Sequence, residues 1–130
     1  SNESIEPELE INKAKSFLSS NYDSAIYYAK KSLSTEKENK DKYYSRYILG
    51  SAYLRKKDYS SAASNFLIAN ELIPKEKEYE QAKANILANL GLIAKSSLAY
   101  EHAIEYYNEA LQTVSTEEKA GVLYNLGNVY

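Results

Sequence analysis

The chain has 130 residues, a formal net charge of −2 from 16 basic and 18 acidic side chains, and no cysteine. Disulfides, thiolate chemistry and cysteine metal sites are therefore excluded, and there is no basic excess to attract nucleic acid. No apolar run reaches the about 18 residues that a transmembrane helix needs, so no membrane insertion of this segment is expected.

Four glycines and two prolines punctuate the whole chain. Apolar residues recur at spacings of three and four, and no run alternates in twos. Both patterns predict helices and no strands. Tyrosine is abundant, 14 against two Phe and no Trp. A flat apolar ring with a polar tip suits half-buried helix faces and grooves.

The chain opens on Ser1-Asn2 instead of Met, which reads as the scar of a cleaved tag. A signal peptide or membrane anchor is the kind of segment expected to have stood before it. The first two helices are expected over 6–19 and 22–36, with Asn21-Tyr22-Asp23-Ser24-Ala25 marking the turn between them. From Thr35 to Lys42 the charges alternate in sign with no apolar member, as in a solvated helix end or connector. A third helix is expected over 40–56, striped by Ile48, Leu49, Ala52, Tyr53 and Lys56. Asp58 stands where an N-cap carboxylate would receive free backbone N–H groups. The helix it opens, over 59–73, carries Ala62, Ala63, Phe66, Leu67, Ala69 and Asn70, and Pro74 should end it. Ile86, Leu87, Leu90, Ile93 and Ala94 stripe a helix over 76–96. Ala103, Ile104, Tyr107, Ala110 and Leu111 stripe the next, over 99–113. Ser115 stands three before Glu118 as a capping box for a last helix over 117–130.

A short pattern recurs in this series: Leu49-Gly50, Leu90-Gly91 and Leu126-Gly127. The first two pairs are each followed, twelve residues after the glycine, by Ala62 and Ala103. Self-similarity of this kind marks stacked helical hairpins, here about 6–36, 40–74 and 76–114, within a single domain over 1–130. A mid-helix Gly costs roughly 1 kcal/mol against Ala, so its recurrence implies a benefit from close packing.

These residues resemble the tetratricopeptide repeat family, whose unit is a helix–turn–helix of about 34 residues. In the second hairpin Leu49, Gly50 and Tyr53 stand at the family's first-helix Leu, Gly and Tyr. Ala62, Phe66, Ala69 and Pro74 stand at its second-helix Ala, aromatic, Ala and closing Pro. The third hairpin matches through Leu87, Leu90, Gly91, Ala103, Tyr107 and Ala110. It departs with Ala94 in the tyrosine place and Ser115 in the proline place. In the first hairpin Ala14 and Phe17 fill the Gly and Tyr places only if the turn is one residue short. The resemblance implies an all-α fold, a right-handed superhelical array of antiparallel hairpins.

The spacings are stretched: 37 residues from Ala25 to Ala62, 41 from Ala62 to Ala103 and 36 from Gly91 to Gly127. The extra residues, around 34–42 and 75–83, are charged and helix-favouring, and are expected to lengthen helices. Such stretched repeats look like those of bacterial signalling proteins, including sensor kinases and peptide-sensing regulators.

The resemblance implies a concave groove lined by the first helix of each repeat and a protein or peptide as partner. The groove positions are Tyr44, Tyr47, Ser51, Leu54 and Arg55 from the second hairpin, and Asn85, Ala88, Asn89, Leu92 and Lys95 from the third. The last helix offers Tyr124, Asn125 and Asn128. Asn89 and Asn125 stand where many members hold a peptide backbone, and an amide both donates and accepts. The clamp of lysines and asparagines that some members use for C-terminal carboxylates has no clear counterpart here, and Glu10 would bring the wrong sign. The two expected roles are a peptide- or protein-binding scaffold, or the input domain of a bacterial regulatory protein.

Catalysis is not expected, and no cofactor is implied. The lone His102 lies on the exposed start of a helix beside Glu101, and neighbours in sequence do not share a helix face. No phosphate loop, nucleophile elbow or metal-ligand spacing occurs. Leu126-Gly127 opens a repeat that the chain does not finish, so a longer natural protein is expected. Alternatively, the face of Val122, Leu123, Leu126 and Val129 left over on helix 117–130 would be covered by a second copy. Each uncovered apolar side chain forfeits about 1.5–3 kcal/mol of burial.

Overall fold

The computed structural model describes residues 2–114. The expected helix over 117–130, with Tyr124, Asn125 and Asn128, lies outside the described residues. Six α-helices and one 3-10 turn account for most of the described chain, and there is no strand among these residues. No described helix is long and apolar enough to cross a membrane. The chain divides between Ile73 and Pro74 into two compact units.

The first unit holds α1 (Asn2–Phe17), α2 (Tyr22–Leu33), α3 (Asn39–Arg55) and α4 (Tyr59–Leu72). Each packs on the next in sequence. Ala14, Ala29, Ile48 and Leu49 form the buried centre of α1–α3, flanked by Ile11, Ile26, Tyr28, Tyr44, Tyr47 and others. The turns have chemical causes. Asn21 Oδ1 accepts from the Ser24 N–H at 3.0 Å and caps α2. Asp58 Oδ1 accepts from the Ser61 N–H at 3.2 Å and caps α4. At the end of α3 the Asp58 N–H donates to the Tyr53 carbonyl and the Lys57 N–H to the Leu54 carbonyl, both at 2.9 Å. This double closure needs one left-handed residue, and Lys57 takes it with φ 63°. Ile73 follows α4 in an extended conformation, and Pro74 comes next.

The second unit runs through a 3-10 turn (Lys77–Tyr79) into α5 (Glu80–Ser96) and α6 (Tyr100–Thr113). Its core is Ala84, Leu87, Ala103, Tyr107, Ala110 and Val114. The α5–α6 turn repeats the two closing backbone hydrogen bonds of the α3–α4 turn. The Ala99 N–H reaches the Ala94 carbonyl at 2.8 Å and the Leu98 N–H the Lys95 carbonyl at 3.0 Å. Leu98 is left-handed, with φ 61°.

The recurrent glycines have the same surroundings in both units. A Cβ on Gly50 would lie 2.8 Å from Cδ1 of Phe66, and one on Gly91 would lie 2.9 Å from Cε1 of Tyr107. Each aromatic ring thus fills the space over the glycine of its own hairpin. The first hairpin solves the same problem differently: Ala14 stands in the glycine place and Ala29, four after Ala25, in the aromatic place. Both are 0% exposed.

Two expectations need correction. Residues 34–38 do not extend α2 or α3 but form a non-helical connector. Side chains divert this segment: Thr35 Oγ1 donates to the Ser32 carbonyl at 3.1 Å, and the Glu36 carboxyl turns inward to two serine hydroxyls. Residues 74–79 likewise do not lengthen α5. Pro74 and the extended Glu76 (φ −112°, ψ 153°) delay that helix, through a 3-10 turn, until Glu80.

Candidate functional site

On α3, Tyr44, Tyr47, Ser51 and Leu54 follow one another at three- and four-residue steps, which places them on one stripe. All four are half-buried. The rings of Tyr44 and Tyr47 stack at 6.3 Å and 16°. Tyr43, buried behind them, meets Tyr44 edge-on at 6.2 Å. Tyr47 in turn meets Phe66 of α4 edge-on at 5.9 Å. The stripe is therefore an aromatic surface anchored in the core, with its side chains held at low entropic cost for any contact they make.

Arg55 ends the stripe and is exposed, but its guanidinium is already engaged. Nη1 donates to the Leu18 carbonyl in the α1–α2 turn. The adjacent Lys56 Nζ meets Asp23 Oδ1 at 2.5 Å. The Asp23 carboxylate, by hydrogen bond and charge, holds the Lys56 ammonium above its ordinary range. Arg55 and Lys56 together tie two turns at one edge of the first unit. Nothing in residue type or spacing separated Arg55 from its neighbours on the stripe; the tie depends on where Leu18 comes to lie.

On α5, Asn85, Ala88, Asn89, Leu92 and Lys95 form the corresponding stripe. Asn85 is exposed, and its Oδ1 accepts from Gln81 Nε2 at 2.8 Å. Ala88 packs on the core of this unit. Asn89 and Lys95 are half-buried, and Leu92 is 42% exposed. Burial in the same core pushes the Tyr107 hydroxyl above its ordinary pKa.

Other singled-out residues fall elsewhere. Glu10 on α1 places Oε1 3.7 Å from Lys31 Nζ, while its Oε2 is buried without a hydrogen-bond partner. His102 pairs with Glu105 at 3.6 Å on the open surface of α6. No group of three His, Cys, Asp or Glu side chains among the described residues is placed to hold a metal ion.

Two polar sites escaped the sequence reading. Arg46 Nη1 donates to Asn65 Oδ1 at 3.1 Å, and Asn65 Nδ2 donates to the Ser61 carbonyl at 2.9 Å, linking α3 to α4. Glu36 bridges α2 and α3 through Ser32 and Ser45. The only sequence signal for Glu36 was its place in a run of alternating charge, which ordinarily marks a solvated face. No protein-family model matches the chain, and no curated protein matches it at a significant level.

Proposed function

We propose that this chain is a tetratricopeptide-like module whose hairpins stack into a right-handed superhelix and whose first helices hold a peptide or an extended segment of a partner protein. One observation carries the reading: the same hairpin is built twice, with a glycine under an aromatic ring (Gly50 and Phe66, Gly91 and Tyr107) and the same left-handed turn. A unit repeated with that fidelity presents corresponding faces, and those of α3 and α5 carry the half-exposed aromatic, amide and aliphatic groups named above. Tyrosine rings supply contact area, and the Asn89 amide can donate to and accept from a peptide unit. The role is binding rather than catalysis.

The test begins with peptides selected on the whole chain from a random displayed library. Asn89→Ala is expected to weaken their binding about tenfold, the value of one or two peptide hydrogen bonds. Tyr47→Phe should leave the fold intact, because the ring contact with Phe66 is kept. Equal affinities for parent and Asn89→Ala, or no selected peptide at all, would remove the support. Peptides ending in Glu-Glu-Val-Asp should not bind, and micromolar binding abolished by amidation would sink that part.

The spacings of 37 and 41 residues between corresponding alanines favour a second reading, as the input domain of a bacterial regulatory protein. A kinase or DNA-binding domain encoded on the same natural chain would separate it from a free-standing scaffold.

A further inference from the structure

The connector between α2 and α3 holds a polar cluster that peptide binding does not use. Glu36, half-buried, lies at its centre. Its Oε1 accepts from Ser45 Oγ at 2.7 Å, and its Oε2 accepts from the same hydroxyl at 2.9 Å and from Ser32 Oγ at 3.1 Å. Ser32 belongs to the last turn of α2 and Ser45 to the second turn of α3, and both are 0% exposed. A single carboxyl thus spans the junction of two helices.

We propose that Glu36 is a proton-operated latch: taking up a proton tightens the α2–α3 junction, and losing it loosens the junction. An ionised carboxylate accepts several strong hydrogen bonds in water. Here the two hydroxyls offer one proton each, so the charge is only partly compensated for what burial removes. The neutral acid loses that penalty and still bridges both helices, because it can donate to one hydroxyl while accepting from the other.

The charges around it do not reverse this. From α3 two opposite charges act on Glu36: Asp41 opposes its ionisation and Lys42 favours it. From α2, Lys31 is paired with Glu10 of α1. Burial pushes Glu36 above its ordinary carboxyl range by more than the bonds from Ser45 and Ser32 pull it down. The folded state therefore binds this proton more readily than the unfolded chain. Its contribution to stability grows as pH falls through the raised folded value and is complete below the unfolded one, the reverse of the usual salt-bridged carboxylate.

The test compares the whole chain with Glu36→Gln, a neutral isostere, in urea unfolding and amide exchange from about pH 8 to about pH 4.5. The parent is expected to gain stability relative to Glu36→Gln as pH falls. Its Asp41–Ser45 amides, corrected for intrinsic exchange, should become more protected, with no such change in the variant. Parallel profiles, or unchanged protection, overturn the latch. If Glu36→Gln does not fold, NMR titration of the Glu36 carboxyl carbon in the parent decides. A transition above the ordinary range that coincides with the exchange change upholds the latch, and an unshifted one overturns it.

Discussion

The α3–α4 and α5–α6 hairpins arrive at the same backbone turn with different side chains. Lys57 and Leu98 occupy the left-handed position, and neither residue type favours it. Asp58 then caps α4 with its carboxylate, whereas Ala99, in the same place before α6, makes no side-chain cap. What the two hairpins share is the glycine under the ring, several residues away from the turn. The geometry is thus set by the packing of helix on helix, and the turn conforms to it even where local chemistry is unfavourable.

Removing the ring should have the largest effect. Phe66→Ala and Tyr107→Ala are each expected to cost about 3–5 kcal/mol in urea unfolding. Gly50→Ala comes next. Helix propensity would return about 1 kcal/mol, but a Cβ pressed against a fully buried ring costs about 1–3 kcal/mol, so a net loss is expected. Ala14→Gly provides the contrast, since it loses about 1 kcal/mol of propensity and relieves no crowding. A net gain from Gly50→Ala would show that the ring is free to move and would break the comparison.

Smaller gains are expected at the turns. Leu98→Gly removes an unfavourable left-handed side chain that is 72% exposed and should raise stability by about 1 kcal/mol. Ala99→Asp should supply the missing cap and add about 0.5–1 kcal/mol, while Asp58→Ala should lose about as much. Opposite and similar shifts in urea midpoint for this last pair would show that the two turns are interchangeable.

Much of this was legible in the sequence. Gly50, Gly91, Asp58 and Pro74 act through local rules of helix packing, capping and termination, and each stands where those rules put it. The left-handed turns were not legible, because Lys and Leu carry no signature of positive φ. Nor was the Glu36 cluster, since a charge in a polar run signals burial only once Ser32 and Ser45 are known to be enclosed. In the candidate site the stripes on α3 and α5 follow from helical spacing. The engagement of Arg55 by the Leu18 carbonyl depends on tertiary position, which spacing does not encode, whereas Gln81 and Asn85, four apart on α5, are neighbours by spacing alone.

The pairing of helices has a kinetic consequence. In the first unit each helix packs on its neighbour in sequence, and in the second α5 packs on α6. Low sequence separation between contacting residues brings folding into the microsecond to millisecond range. Among the described residues, each helix has its main packing partner next to it in sequence, so none waits for a distant one. Each described hairpin can therefore close soon after its second helix leaves the ribosome, which shortens the time its apolar faces stay open to aggregation.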